Sequence, residues 1–410
     1  MASKHPVGAA GQQGPQVRSD CWIEVEPRQS GGLDISLQSK VAGMYGQSIE
    51  GLVGEGCRVM GLDHARVTVV DQGALPFVLA ARLEAAVRRS GHEPAAPFLL
   101  PAADHCGYAS RPGRLRRSRL YLPGNEPKFY PNAGLHGPDG VILDLEDSVA
   151  PGEKDAARCL VRNALRAVNF YGSERMVRIN QGERGLDDLD WIIPHNVHLV
   201  LIPKVEDPGQ VTAVDERIRA IASATGRGEP VLLMPIIESA LGAWKAYEIA
   251  ASCERVAALA IGLEDYTADI GTQRTAMGAE SFWARCQVVN GAKAAGVQPI
   301  DTVFSDVSDT EGLIASCVEA KGLGFVGKGC IHPRQIAEVH RAFAPDEVEI
   351  AKATRIVLAF EEAEAKGLGV VSLGSKMIDA PVVKRAQTTV AMAREVGLLG
   401  DDWRDSREED

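Results

Sequence analysis

Eight short apolar runs recur at roughly even spacing between Arg119 and His332, and most of them end in a polar or charged cluster. They are Leu120 to Gly124, Val141 to Ser148, Glu174 to Asn180, Val197 to Glu206, Val231 to Ser239, Val256 to Asp265, Gln298 to Phe304 and Phe325 to Ile331. Helix-length segments separate them. In one, Glu153 to Val168, residues Ala157, Leu160, Val161, Ala164, Leu165 and Val168 form a stripe at helical spacing. Strand and helix alternating eight times is the pattern of a (β/α)₈ TIM barrel, in the α/β class. Such a barrel carries its chemistry at the carboxyl ends of its strands. The charged clusters that end the runs are therefore the place to look for function.

A barrel takes about 250 residues, so a chain of 410 has room for more. Residues 1–18, rich in Gly, Gln and Ala, read as disordered. Residues 19–90 read as a small α+β domain. Alternation at Cys21, Ile23 and Val25 predicts a strand, Ser39 to Met60 a helix, Ala65 to Val70 a strand and Leu75 to Arg89 a helix. Residues 91–113, with four prolines and several glycines, read as a linker, and 114–345 as the barrel. Residues 346–398 read as a C-terminal helical extension with a short strand near Gly369 to Leu373, and 399–410 as a frayed acidic tail.

The formal net charge of -11 argues against nucleic acid as a partner. No run approaches the roughly 20 apolar residues of a membrane span, and the N-terminus has no basic segment leading into an apolar one. The 8 cysteines form no Cys-x-x-Cys pair and several sit in apolar patterns, as expected of free thiols in a reducing, cytoplasmic compartment.

Several motifs have ordinary explanations. Gly322 to Gly327 fits G-x-G-x-x-G but precedes a strand, where a turn is expected rather than a dinucleotide site. His195 and His198 suit solvated or capping roles. Lys204 ends a strand and fits either a salt-bridged, substrate-orienting amine or a Schiff-base lysine. Arg114, Arg116, Arg117 and Arg119 form a basic cluster that suits either a solvated face or a phosphate-binding patch.

The strand ends carry the chemistry. Glu238 and Asp265 follow consecutive strands, so one ion can reach both. Two carboxylates with water in the remaining positions suit Mg²⁺. Glu146 and Asp147 end the second strand, where they can orient those waters. Arg178 ends the third, where a guanidinium can clamp a carboxylate with two hydrogen bonds.

The segments Arg117 to Gly124, Leu143 to Val149, Val177 to Asn180, Ile202 to Glu206, Ile237-Glu238, Gly262 to Asp265, Gly327-Lys328 and Ile331 to Gln335 resemble the citrate lyase β-subunit family. That family includes malyl-CoA, β-methylmalyl-CoA and citramalyl-CoA lyases. The resemblance covers 115–396. It implies a Mg²⁺-dependent, reversible Claisen-type cleavage of a 3-hydroxyacyl-CoA to a 2-oxo acid and an acyl-CoA. It also implies Glu238 and Asp265 as metal ligands and Arg178 as the clamp on the substrate carboxylate, with Arg117, Lys128 and Lys204 completing the substrate-binding set. Met377 to Asp379 matches a segment whose aspartate acts as acid/base in a neighbouring subunit's site. This implies a catalytic Asp379 and a homo-oligomer, a trimer or hexamer. Leu33 to Ser36, Val70 to Leu75 and Ala80 to Ala86 resemble the acyl carrier (γ) subunit of citrate lyase. The carrier's prosthetic arm needs a serine two residues before an aspartate. Counting back from Asp20, that position holds Arg18, with Ser19 beside it, so no covalent arm is expected. Two other readings remain: a fused γ/β citrate lyase component working with an α-subunit-like partner on a citryl-carrier thioester, and a non-catalytic docking scaffold.

Overall fold

The computed structural model describes residues 6–366, 371–373 and 376–404. The chain parts into two compact units, Met1–Ile336 and Ala337–Asp410. The first contains a small N-terminal sheet and the barrel. The boundary expected at residue 345 falls earlier, inside the helix Arg334–Phe343.

Four strands open the first unit: β1 (Gly8–Gly11), β2 (Cys21–Pro27), β3 (Leu33–Ser39) and β4 (Ala65–Asp71), in the order β1-β2-β4-β3. The pair β3 and β4 is parallel and the other contacts are antiparallel. The helix Ala42–Val59 makes the crossover that a parallel pair requires. Strand β1 corrects the expectation of disorder over 1–18, at least for residues 8–11. Its small residues are there for close packing. A Cβ on Gly8 would lie 2.1 Å from the Ala86 carbonyl oxygen in the helix Pro76–Arg89. Strand β3 was not expected either, because its residues alternate between half-buried and exposed and include Asp34, Ser36 and Gln38.

The helix Pro76–Arg89 is buried on nearly every side, polar residues included. It lies between the N-terminal sheet and the barrel helix Lys154–Ala167. Arg82 holds Asp20 through two hydrogen bonds and reaches Asn125, just past the first barrel strand. Glu84 takes both terminal nitrogens of Arg162, at 3.2 and 2.7 Å. Arg89 binds Asp155. The N-terminal domain is thus fixed to the barrel by the buried Glu84–Arg162 pair, the Arg82–Asn125 hydrogen bond and the more exposed Arg89–Asp155 pair.

The barrel strands are β5 (Ser118–Pro123), β6 (Gly140–Asp144), β7 (Glu174–Arg178), β8 (Leu199–Ile202), β9 (Leu232–Ile237), β10 (Ala258–Ile261), β11 (Gln298–Ile300) and β12 (Lys328–Cys330). They are parallel throughout, in the order β11-β10-β9-β8-β7-β6-β5-β12. A bridge between Asp301 and Lys328 closes the ring. All eight coincide with the apolar runs read from sequence. Ile142, Met176, Leu201, Met234, Ile236 and Ile300 pack the interior, and helices cover the outside.

The linker is pinned under the amino-terminal end of the barrel. Arg175 donates to the Cys106 carbonyl, and the Tyr108 hydroxyl donates to the Ser173 carbonyl. His198 is buried there. Its Nδ1 accepts the Arg175 backbone N–H at 3.1 Å, so its Nε2 donates to the Tyr108 carbonyl at 2.8 Å. That arrangement requires a neutral ring. Burial pushes the imidazole from 6.5 down to about 4, with Arg175 adding to the effect. The unfolded chain therefore takes up a proton that the folded chain refuses. The stability this ring contributes is complete above pH 6.5 and is lost as the pH falls towards 4. Unfolding free energies of the wild type from urea titrations should drop over that interval, and those of His198→Gln should drop less, by up to about 3 kcal/mol. Equal losses in the two proteins would refute the assignment.

In the second unit the helices Glu347–Ala365 and Ala380–Glu395 pack on each other, with the hairpin β13 (Val371–Leu373) and β14 (Lys376–Ile378) between them in sequence. Part of the strand expected over 369–373 lies outside the described residues. The tail expected to fray does not do so as far as residue 404. Trp403 is buried with Ile356, Val383 and Val390, and Arg404 pairs with Glu361. Among the described residues, no helix is long and apolar enough to cross a membrane.

Candidate active site

The carboxyl ends of the barrel strands surround a cavity of about 480 Å³ lined by Asp144, Asp147, Arg178, Glu238 and Asp265 among others. Glu238 directly follows β9. Asp265 lies in the first turn of the helix Leu263–Asp269, which follows β10 after Gly262. A Cβ at Gly262 would sit 2.5 Å from Glu238 Oε1 and 2.8 Å from its Cγ, so a larger residue there would displace the Glu238 side chain. Lys204, after β8, has φ +51°, a left-handed backbone uncommon for a residue with a side chain. Its backbone N–H donates to Glu238 Oε2 at 3.0 Å.

The Lys204 ammonium stands 3.2 Å from Asp265, 3.6 Å from Glu146 and 3.7 Å from Asp147. Burial pulls its proton affinity down, but these carboxylates more than offset that and hold the amine charged. A Schiff base needs a neutral amine, so this environment opposes one. Arg178 lies 3.0 Å from Glu146 and 3.9 Å from Asp147. Its Nε and Nη2 both donate to Asp144, at 2.6 and 2.8 Å. The two-pronged face expected to hold a substrate carboxylate therefore holds the protein's own Asp144. Burial raises Asp144, but the Arg178 hydrogen bonds outweigh it and keep the carboxyl below its ordinary range.

Glu238 is the unbalanced group. Burial, with the negative charge of Asp265 and Glu146, pushes its carboxyl up to about 8 despite Arg178. The carboxylates of Asp144, Glu146, Asp147, Glu238 and Asp265 outnumber the cations Arg178 and Lys204. A further cation between Glu238 and Asp265 would relieve that imbalance. Among the described residues, no three His, Cys, Asp or Glu side chains form a ready ligand set. A two-carboxylate site completed by water fits a hard divalent ion such as Mg²⁺ and offers nothing soft for zinc.

Other residues expected at the site lie elsewhere or have other partners. Arg117 precedes β5 and gives its Nε and Nη2 to Asp139, each at 2.9 Å. It therefore lies at the amino-terminal end of the barrel and is not among the residues that line the cavity. The basic cluster also disperses. Arg116 is buried against Glu174, Arg114 binds the Asp139 and Gly172 carbonyls, and Arg119 points into the barrel, so no phosphate patch forms. Lys128 is on the correct face but lines an adjoining cavity of about 410 Å³ with Phe129, His136 and His332, and pairs with Glu126 at 2.8 Å. Asp379 caps the helix Ala380–Glu395 by accepting the Val382 N–H, and its carboxylate is exposed.

Sequence reading missed Asp144, Tyr121 and Arg119. Asp144 was visible as the first acid of the β6 cluster, and its inward direction follows from alternation with Ile142. The Arg178 guanidinium lies over the Tyr121 ring, 5.4 Å from its centroid. Nothing in the pattern of apolar runs distinguished Arg119 from its neighbouring arginines.

The family model described as HpcH/HpaI aldolase/citrate lyase matches residues 117–333. A second model, described as malonate decarboxylase delta subunit (MdcD), matches residues 10–90. The chain is 40% identical to the citrate lyase subunit beta of Haemophilus influenzae over 284 residues, covering 68% of this chain and 98% of that one. It is 34% identical to the L-malyl-CoA/beta-methylmalyl-CoA lyase of Cereibacter sphaeroides over 308 residues, covering 69% and 96%. The crystal structure of CitE from Mycobacterium tuberculosis, in complex with magnesium, acetoacetate and coenzyme A, superimposes with a TM-score of 0.55 at 30% identity, covering 68% of this chain and 98% of that one. With these matches across the barrel and the acidic cavity at its strand ends, the chain belongs to the HpcH/HpaI aldolase/citrate lyase family, an enzyme family of carbon–carbon lyases.

Proposed function

We propose that the chain is a Mg²⁺-dependent lyase that cleaves a 3-hydroxyacyl-CoA reversibly to a 2-oxo acid and an acyl-CoA. The observation that carries this reading is the buried, under-neutralised Glu238 lining the same cavity as Asp265. The malyl-CoA lyase and the magnesium- and coenzyme A-bound relatives support the choice of ion and thioester.

Glu238 and Asp265 would hold the ion, with Glu146 and Asp147 orienting its waters. Bound there, Mg²⁺ supplies Lewis-acid stabilisation to negative charge developing on oxygen. Lys204 and Arg178 hold the surrounding carboxylates in place, and Arg178 keeps Asp144 below its ordinary range. Asp147, exposed at the cavity, takes the proton of the substrate hydroxyl as the C–C bond breaks. The bonding pair passes to the thioester α-carbon, and Asp379 protonates that carbon. The products are the 2-oxo acid and the acyl thioester, and both carboxyl groups exchange protons with solvent.

The family resemblance places Asp379 in a neighbouring subunit's site, in a homotrimer or hexamer. Inactive Asp379→Asn protein mixed with inactive Glu238→Gln protein should regain part of the activity, because each restored site draws on two chains. Demonstrated subunit exchange with no return of activity would exclude the shared site.

The carrier-like match favours a second reading, a fused component that handles a carrier-bound thioester beside an α-subunit-like partner. The clamped N-terminal domain and Arg18 at the attachment position speak for a fixed wall of the enzyme and against a loaded arm. Intact mass of protein from its native host should equal that of the polypeptide. A phosphoribosyl-dephospho-CoA increment on Ser19 would overturn this in favour of the second reading.

A further inference from the structure

Arg119 is the second residue of β5 and points into the barrel, where a TIM barrel normally packs branched apolar side chains. It is 1% exposed, yet it lines the same cavity as Glu238. Its neighbours in register on both adjoining strands are Gly140 and Gly329, where Met176 and Val303 pack in place of a Cβ and offer no charge. Its partners are poor. Nη1 donates to the Met234 sulfur at 3.1 Å, a weak acceptor, and Nη2 to the Asp301 carbonyl at 3.3 Å. Nε has no partner. The Asp301 carboxylate is committed to Lys328 and Arg285. No carboxylate among the described residues pairs with Arg119.

An unpaired guanidinium in a barrel core is costly, and an apolar residue of similar length would pack there without that cost. The cavity is lined beyond the strand ends by Asp147, Glu238 and Asp265 and inside the barrel by Arg119, whose guanidinium lies against Met234 and the Asp301 carbonyl. Ile236 and Ala260 also line it and offer no competing anion.

We infer that Arg119 receives a second carboxylate on the acid half of the substrate, and so selects 2-oxo acids with two carboxylates over those with one. This rests on the lyase reading given above and names the substrate class for that site. The carboxylate would accept the free Nε–H and supply the missing counter-charge.

The test compares the Mg²⁺-loaded wild type with Arg119→Met and Arg119→Lys. Condensation with acetyl-CoA is measured for oxaloacetate and 2-oxoglutarate against pyruvate, and binding of the same acids is measured by calorimetry. The wild type should favour at least one dicarboxylic acid by tenfold or more in both kcat/KM and affinity. Arg119→Met should lose that preference, its kcat/KM and affinity for the dicarboxylic acids falling by at least tenfold more than those for pyruvate. Its melting temperature should hold or rise, since an unpaired buried charge has been removed. Arg119→Lys should keep part of the preference. A wild type that favours pyruvate, or an unchanged ratio in Arg119→Met, would overturn the inference and leave the lyase reading standing. If no acid binds or reacts, the lyase reading falls and this inference falls with it.

Discussion

Glu238→Gln should reduce turnover by roughly a thousandfold, the several kcal/mol that a Lewis acid contributes at a developing oxyanion. Mg²⁺ affinity should fall at least about tenfold, because one of two protein ligands is lost. The fold should survive. Glutamine preserves the volume and the acceptor for the Lys204 N–H, and it removes a charge that burial disfavours. The unfolding midpoint of the variant should therefore not fall below that of the wild type. Calorimetry and a denaturant titration separate the two effects. Unchanged Mg²⁺ affinity would exclude Glu238 as a ligand, and a collapsed midpoint would make any loss of activity uninformative about the metal.

Arg162→Met should destabilise the protein by about 3 kcal/mol or more, the usual cost of leaving a buried carboxylate without its partner. Glu84 is fully buried and would retain only Arg88 and the Phe98 N–H. Burial raises the Glu84 carboxyl, but Arg162 and Arg88 outweigh it and bring it below its ordinary 4.5. The stability it contributes is therefore present above pH 4.5 and fades as the pH falls below that. The gap between wild type and variant should be full at pH 7 and narrower at pH 3. Because this ion pair joins the N-terminal domain to the barrel, limited proteolysis of the variant should cleave near residue 90 sooner. Equal midpoints at pH 7 would show that the domain is not held as described.

The barrel was legible because its strands are buried on both faces and read as continuous apolar runs between helical segments. The strand-end acids were legible because a barrel confines its chemistry to one rim. Contacts between distant segments were not legible. Strand β1 looked like a disordered tail because glycine and alanine carry the same signal in a loose segment and in one pressed against a helix. Arg117 and Arg119 are two residues apart in sequence, yet one pairs with Asp139 below the barrel and the other points into its interior. Strand alternation gives a side chain's direction, but the charge awaiting it depends on the strand across the barrel. The fork of Arg178 was assigned to substrate because Asp144, on the neighbouring strand, became its partner only through the β6–β7 register. Trp403 shows the same limit, since an acidic tail conceals one apolar anchor.

This single chain is expected to break a carbon–carbon bond with a divalent ion held by Glu238 and Asp265. The most direct test is release of 2-oxo acid by the purified protein from malyl-, citramalyl- and β-methylmalyl-CoA and from citryl-CoA, with Mg²⁺, with chelator, and with Mg²⁺ restored. Release is expected from at least one thioester, with loss on chelation, return with Mg²⁺, and absence in Asp265→Asn. Release that persists undiminished in chelator, or no release from any of the four thioesters, would contradict that expectation.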